Sequence, residues 1–556
     1  QKLESENKEL FRLARNFEGL KRNFGVHASG VLAMPCRVDD YFPTRTDENG
    51  VMITLFTGVE CEELGTAKLD ILGLKTLSII EKTLDHLHKD VDWLYDNFDI
   101  EDKKLYQMLA CAKSDCIFQL ESDMFKDYLQ EMKPTCFDDI SATTALLRPG
   151  PLSANMHHQY AKRKQGLEES ALPLRGIDNI VSNTYSVIPY QEQMMMISKQ
   201  VSGFDDNQAD SLTRKIFAKK QVAKMPMLER CHIYGKKNCE GPEGWEDNNE
   251  LPWYDPKGKY GPEIKGALAN GYTEKEMKDY FELIQGFSSY LFNKSHAVAY
   301  SFTSMLTTWL KLYYPVEFYS AFLSMQATED LLRYIPMIRK EGIDVKVPDI
   351  NISNRDFTPD GNNILFGLGS IKGVGEASIP AIVDNRPYTS LEDALDKIGK
   401  KAFNKRVGEA LIMSGAFNNY KTNRNELLNE FHEIRKDKKI EILDVDDFNK
   451  DVIMDYEMQS LSCPVTCTPE WFDYEDGHDV FKVPIKITKI DERKDRKGNL
   501  MAFCEGDVGG GVTIELIIFS SIYTANLGII RAGHTALFDG EKQSNAKLKV
   551  KKVSLS

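Results

Sequence analysis

No run in this 556-residue chain approaches the roughly 20 consecutive apolar side chains of a membrane-spanning helix, which excludes an α-helical membrane span as its organising element. The opening stretch, QKLESENKELFRLARNF, has neither an initiating Met nor the apolar core of a secretory signal. The chain therefore reads as cytoplasmic and as cut from something longer. Cysteine is sparse and scattered, ten in all, which fits reduced thiols better than a disulfide framework. The nearest pairs, Cys111 and Cys116, Cys231 and Cys239, and Cys463 and Cys467, lack the CxxC spacing of a zinc site. Only Cys231, His232 and Cys239 form a cluster, and free thiols are the expectation there, with no structural metal.

Positive charge is also in deficit. A net charge of -14 excludes a protein that coats nucleic acid with its whole surface. Local patches escape that exclusion. Between Asp210 and Glu229 there is no acid at all, while Arg214, Lys215, Lys219, Lys220 and Lys224 crowd together; the acids collect elsewhere, in GWEDNNE and LDVDDFNKD. Segregated charge suggests an anionic ligand at a confined site. On a helix, Lys215 and Lys219 share a face, as do Lys220 and Lys224, so the run suits a triphosphate or a duplex backbone; the competing reading is a solvated charged face.

The chain is too long for one core. Residues 1–21 carry Leu10, Leu13, Phe17 and Leu20 at helical spacing, and the glycines and apolar run of GVHASGVLAM suggest a turn into a strand. From about 76 to 330 the apolar periodicity is mostly helical, broken by LLRPGPLS and by an insertion at 236–262 with no assignable function. After about 470 the pattern becomes five short alternating strands, IKITKI, MAFCEG, VTIELIIF, TALFDGE and LKVKKVSL, which suggests a small closed barrel of OB type.

Several short stretches carry chemistry. In AKLDILGLKTL, Asp70 stands in a run suited to burial, and a buried lone carboxylate is costly. Either it has a partner such as Lys68, two residues back on the same strand face, or it points into a metal site; the local sequence leaves both open. LGSIKGVGEAS suits a helix-hairpin-helix, in which Gly373 and Gly375 let two helices approach, backbone amides face a phosphate across Val374, and Lys372 adds charge. An ordinary tight turn is the alternative, and KRVGEALIMSGAF looks like a second related unit. SSYLFNKSHAVAYSF places Asn293, Lys294, Ser295 and His296 ahead of an apolar helix, with Ser295 as the expected N-cap; donors at a helix start suit an anion, and capping with a packed His296 is the plainer reading. RPGPLS is a proline-stiffened turn presenting Arg148.

Together these stretches resemble one family, the alpha subunit of bacterial DNA polymerase III, the C-family replicative polymerases. The matching segments are GLKRNFGVHASGV, AKLDILGLKTL, IFQLES, ALLRPGPL, YQEQMM, ADSLTRKIFAKK, FNKSHAVAY, TTWLKLYYPVEF, PDIN, GLGSIKGVGE and LIMSGAF, in the family's order. The resemblance implies a multidomain α/β plus all-α fold: end of thumb and C-terminal palm at 1–75, fingers at 76–330, a helical clamp-proximal region with tandem hairpins at 331–455, a linker at 456–477 and an OB barrel at 478–556. It implies template-directed addition of deoxynucleotides by two-metal phosphoryl transfer, with two Mg²⁺ held by carboxylates. Asp70 falls on the third of three catalytic aspartates and is the implied metal ligand, with Lys68 and His27 beside it. The other two aspartates, and the amino-terminal phosphoesterase-like domain, would precede the first residue given, so the chain alone is expected not to polymerise.

The resemblance also implies roles residue by residue. Arg214 matches an arginine on the incoming triphosphate; Thr213 stands where the family often has another, and Lys215 would substitute as a point charge. Lys219, Lys220, Asn293, Lys294 and His296 match residues lining the nucleotide and template site. Arg148, Lys372, Gly373, Val374 and Gly375 are the expected DNA contacts of the turn and hairpin, and Arg493, Lys494, Arg496 and Lys497 those of the barrel. Residues 481–556 hold 13 Lys and Arg against 8 Asp and Glu, the sign single-strand binding needs, with Phe503, Phe519, Tyr523 and Phe538 as the available aromatics. Implied partners are primer-template DNA, deoxynucleoside triphosphate, a sliding clamp and other replisome subunits, in a bacterial or phage-infected cell. DVDDF at 444–448 imitates a catalytic pair but lies beyond the hairpins and reads as an acidic loop; the clamp-binding peptide expected nearby finds no good match. Two alternatives stand: a non-catalytic DNA-binding accessory protein, and the C-terminal half of a split polymerase whose amino-terminal palm and phosphoesterase-like part is a separate polypeptide.

Overall fold

The computed structural model describes residues 7–17, 25–27, 29–71, 73–170, 172, 174–214, 225–235, 264–285, 291–435, 450–495, 497–509 and 511–555. The chain divides into two compact units, Gln1–Lys75 and Thr76–Ser556.

The first unit is built from short pieces. Helix α1 (Lys8–Phe17) has the expected apolar spacing, yet none of its side chains is buried, and Leu10, Leu13 and Phe17 are exposed. Strand β1 (Gly30–Ala33) pairs antiparallel with β4 (Ala67–Asp70), setting Gly30 opposite Asp70 and Leu32 opposite Lys68. Between them lie a second antiparallel pair, β2 (Thr44–Thr46) with β3 (Met52–Thr54), and helix α2 (Gly58–Glu63). Among the described residues of this unit, Phe42 and Cys61 are the buried apolar side chains. Val31, Leu69 and Ile71 are exposed, so the run around Asp70 is apolar without being interior.

Among the described residues of the second unit there are three large apolar cores. One runs from Ile79 to Val465 and includes Ile79, Leu84 and Leu94 near its start, Trp309, Phe318 and Phe322, and then Phe357, Phe366, Leu411 and Phe431. Residues on both sides of 330 share it, so the expected boundary between 76–330 and 331–455 does not separate two interiors. Helix α3 (Lys75–Leu87) and helix α4 (Phe137–Leu146) line its early part. A second core, Leu174 to Leu291, gathers α5 (Gln191–Ser202), α6 (Met225–Tyr234) and α7 (Glu274–Gln285). Helix α8 (Lys294–Tyr313) follows, the longest of the elements named here, and its Ser304 hydroxyl donates to the Phe118 carbonyl at 2.8 Å. No helix among the described residues is long and apolar enough to cross a membrane.

Helix α9 (Pro315–Ser324) packs on a small sheet absent from the sequence reading, β5 (Val345–Lys346), β6 (Thr358–Asp360) and β7 (Asn363–Leu365), in the order β5-β7-β6. The GVG hairpin follows it. Helices α10 (Leu391–Ile398), α11 (Lys405–Met413), α12 (Arg424–Arg435) and α13 (Lys450–Leu461) complete the hairpin region. Gly408 lies within α11, where a Cβ would stand 2.0 Å from Phe431 Cζ; its lack of a side chain admits that ring. Residues 456–477, expected as a linker, contribute to two interiors: Leu461, Cys463 and Val465 join the large core and Trp471 and Phe472 the barrel core, while residues 475–477 are exposed. They hold the end of α13 and a 3₁₀ turn, Glu470–Asp473, whose Trp471 sits in the barrel core. Glu457 is buried there, accepting from Arg424 Nη2 at 2.9 Å and from the Val465 and Thr466 amides at 2.6 and 2.8 Å.

The C-terminal strands close a five-stranded barrel as their alternation predicts: β8 (Asp479–Lys494), β9 (Leu500–Asp507), β10 (Thr513–Ile518), β11 (Thr535–Ser544) and β12 (Lys547–Leu555), ordered β10-β12-β11-β8-β9. Strands β10 and β12 run parallel, and helix α14 (Ser520–Ala525) crosses between β10 and β11. The fold is thus mixed α/β, with a helix-hairpin-helix region and an OB-type barrel.

Candidate functional site

In the first unit, strand alternation puts Lys68 and Asp70 on one face of β4. Lys68 Nζ lies 2.8 Å from Asp70 Oδ1 and 3.0 Å from Oδ2, and His27 Nε2 lies 4.0 Å from Oδ1. The sequence left two explanations for this carboxylate, and the ion pair is the one present. Hydrogen bonding from Lys68, aided by the His27 charge, holds the Asp70 carboxyl below the usual carboxylate range. Gly30 makes the arrangement fit: a Cβ there would stand 3.1 Å from His27 Nδ1 and 3.2 Å from Lys68 Cε.

The implied pair of Mg²⁺ ions is tested against this donor set. Among the described residues no group of three His, Cys, Asp or Glu collects to hold a metal ion. Asp70 is a single carboxylate with both oxygens engaged by an ammonium. These residues do not by themselves fit a two-metal centre, which needs several oxygen ligands.

In the second unit, Arg148, Asn293, Lys294 and His296 come together at the start of α8. The N-cap is Asn293, not the expected Ser295: Asn293 Oδ1 accepts from the His296 amide at 2.9 Å and from Ser295 Oγ at 2.6 Å. Ser295 is the second residue of the helix, and its hydroxyl donates to the Asn293 cap instead of accepting from a helix-start amide. The Arg148 guanidinium lies over the Phe292 ring, 3.6 Å from its centroid. Phe292 meets His296 edge-on at 5.3 Å, His296 lies at 4.2 Å and 33° from Tyr300, and Tyr300 lies 5.4 Å from Phe118. His296 is exposed rather than packed away. Burial, and next the Arg148 charge, push its imidazole below its ordinary value, so the neutral ring is favoured.

Other expected residues are placed differently. Arg214 ends a π-helical turn, Ala209–Arg214, but its side chain and Lys215, Lys219 and Lys220 lie outside the described residues. Thr213, where the family often has arginine, is buried: its Oγ1 is 2.9 Å from Ser198 Oγ and 3.4 Å from His232 Nε2. His232 also bonds Ser202 Oγ at 2.9 Å, and burial pushes its imidazole down to about 3. Cys231 is buried and in no disulfide; Cys239, the 236–262 insertion and DVDDF lie outside the described residues.

At the hairpin, Gly373 has φ +105°, and a Cβ there would stand 3.2 Å from Ala410 Cβ; Gly375 faces open space. Only one side of the hairpin is a regular helix, because residues Leu368–Ser370 before it form a 3₁₀ turn. Val374, expected among the DNA contacts, is buried, and its amide donates to the Ile371 carbonyl at 3.1 Å; the Lys372 amide donates to Ser460 at 2.7 Å. Lys372 itself is exposed. In the barrel, Arg493 holds Asp491 at 2.7 Å and lies over Phe503 at 5.0 Å, and the Lys497 amide closes the Asp495 turn; Lys494 ends β8 and Arg496 lies outside the described residues. Of the aromatics, Phe538 and Tyr523 are core, while Phe519 is exposed and Phe503 half-buried.

Sequence reasoning missed Phe118, Phe292 and Tyr300, and the role of the YQEQ stretch. Gln191 exchanges backbone contact with Phe292 at 2.9 Å and its Nε2 donates to Leu291 at 2.9 Å, while Glu192 Oε2 accepts from the Lys294 amide at 2.9 Å. The signal was an aromatic at each of i-4, i and i+4 around position 296: His296 and Tyr300 share one face of α8, and Phe292 stands just before the helix begins.

Three family models match. Residues 1–73 match the bacterial DNA polymerase III alpha NTPase domain, 76–238 the bacterial DNA polymerase III alpha subunit finger domain, and 342–427 a helix-hairpin-helix motif. The DNA polymerase III subunit alpha of Aquifex aeolicus is 33% identical over 99% of this chain and 47% of its own length. Those of Pseudomonas fluorescens and Escherichia coli K12 are 34% and 33% identical, over 75% and 78% of this chain and 34% and 36% of their own lengths. The chain thus spans between about a third and a half of these relatives. By the order of its motifs and by matches along nearly its whole length, it belongs to the bacterial DNA polymerase III alpha subunit family.

Proposed function

We propose that this chain binds a deoxynucleoside triphosphate and primer-template DNA and takes part in template-directed addition of deoxynucleotides to a primer 3′ end. The observation that carries the reading is the ladder Arg148, Phe292, His296, Tyr300, Phe118. Base stacking on aromatic faces beside cationic groups is how proteins hold single nucleobases with their phosphates. Arg148 and Lys294 supply cationic groups for phosphate, with Lys294 Nζ 5.7 Å from the Tyr190 ring. Arg214, Lys215, Lys219 and Lys220 extend the anion site by family match. Lys372 with Gly373 and Gly375, and Arg493 with Lys494 and Lys497, follow the DNA backbone on this reading, with a sliding clamp and other replisome subunits as further partners.

The domain map belongs to the proposal: palm and thumb end at 1–75, fingers from 76 to about 330, the hairpin region to about 455, and the barrel from 478. Asp70 is the carboxylate this chain would bring to the reaction, with Lys68 and His27 orienting it. A polypeptide of these 556 residues alone binds without extending, because one carboxylate does not make a two-ion site. The thin interior of the first unit supports the split-polymerase variant, in which a further polypeptide surface covers Val31, Leu69 and Ile71. The accessory-protein reading draws on Asp70 being committed to Lys68.

Primer extension with Mg²⁺ and four deoxynucleotides, using the chain and Asp70→Asn, beside primer-template binding at two salt concentrations, separates these readings. Salt-steep binding without extension is the expected result. Extension abolished by Asp70→Asn would overturn the inactivity of the chain alone, and absence of both binding and extension would overturn the reading itself.

A further inference from the structure

We infer that Glu192, together with Gln191, is a positioning residue for the nucleotide site: by clamping residues 291–294 it fixes the start of α8, and with it the stacking face of Phe292 and His296. The inference rests on the nucleotide-binding reading above and assigns a role to two residues that reading does not use.

The geometry is specific. Segment 291–294 lies alongside the start of α5, where Phe292 N donates to the Pro189 carbonyl and Gln191 N to the Phe292 carbonyl, each at 2.9 Å. Gln191 Nε2 holds the Leu291 carbonyl on one side of Phe292, and Glu192 Oε2 holds the Lys294 amide on the other, both at 2.9 Å. Tyr190 is itself fixed by its hydroxyl donating to Ser141 Oγ at 3.0 Å, and Gln193, buried, donates to Thr184 Oγ1 at 2.8 Å and to the Ile180 carbonyl at 3.1 Å. The start of α5 is therefore tied on several sides, and Phe292 is hydrogen-bonded to it.

The carboxylate has a second consequence. Of the first three amides of α8, that of Lys294 goes to Glu192 and that of His296 goes to Asn293. A helix start binds anions through those amides. Here two of the three are taken, so the phosphates of a bound nucleotide fall mainly to side-chain cations, and Glu192 works as a strut whose charge weighs against the ligand rather than for it. An uncharged acceptor of the same shape should then serve equally well.

Glu192→Ala, Glu192→Gln and Gln191→Leu in the 556-residue chain provide the test, read by equilibrium binding of dATP with primer-template, by thermal melting, and by amide exchange of the 291–297 peptide. Loss of one such cap is expected to weaken nucleotide binding about tenfold in Glu192→Ala, while Glu192→Gln stays within about threefold of the parent. Exchange at 291–297 should quicken in Glu192→Ala and Gln191→Leu with the melting temperature held. Parent-like affinity in Glu192→Ala, or a Gln variant as weak as the Ala variant, would overturn the inference. If the parent chain binds no nucleotide, it is the functional reading that falls. Exchange then decides the clamp alone: unchanged exchange in both Glu192→Ala and Gln191→Leu overturns it, and faster exchange upholds it.

Discussion

Asp70 is exposed and salt-bridged, and its behaviour follows from Lys68. A carboxyl held low in the folded chain contributes stability above its unfolded pKa and loses it as pH falls through the folded value. Lys68→Met should raise the Asp70 midpoint toward the ordinary 3.8, read by carboxylate carbon NMR; an unmoved midpoint would mean the pair does not form in solution. His232 has the opposite chemistry. Its folded imidazole titrates near 3 against an ordinary 6.5, so the unfolded chain takes the proton first and stability falls as pH drops through that window. The slope from this one group is at most about 1.4 kcal/mol per pH unit, checked by denaturant melts of the parent against His232→Gln. Glu457→Leu strands the buried Arg424 guanidinium and should cost about 3–5 kcal/mol in the same melts.

At the scale of elements, the two glycines of the GVG hairpin separate folding from binding. Gly373→Ala meets both a left-handed φ and the Ala410 side chain, so it should destabilise the hairpin region by about 1–2 kcal/mol. Gly375→Ala meets open space and should leave the melting temperature unchanged while weakening primer-template binding if a phosphate approaches there. Equal binding by Gly375→Ala and the parent would remove that glycine from the interface. The barrel strands were legible because stretches of them alternate between core and solvent; in β8, Val483, Ile485 and Ile487 are buried with exposed residues between them. The small sheet β5–β7 was not, since strands of two or three residues carry no period. The N-cap of α8 was misplaced by two residues because Asn293 and Ser295 are equally good caps by type, and only the backbone decides. The site was legible in its cations and blind in its rings: Arg148 and His296 stood out in the sequence, whereas Phe292, Tyr300 and Phe118 look like ordinary core aromatics until the fold stacks them.

For the whole molecule, the two units differ in how much interior they own. Few buried apolar side chains mean little hydrophobic stabilisation and easy local opening. Amides of residues 29–71 should therefore exchange far sooner than those of α8, α9 and the barrel, measured on the intact chain by mass spectrometry; equal protection would mean the first unit is covered in solution. The core that joins Ile79–Val187 to Met305–Val465 bears on inheritance as well as stability. A recombination event that cut at residue 330 would part Phe318 and Phe322 from Phe357 and Phe366 and leave two unpackable halves. The segments on either side of residue 330 are thus expected to be inherited together, whereas the barrel, carrying its own interior from Trp471 onward, is the part whose exchange would disturb the large core least.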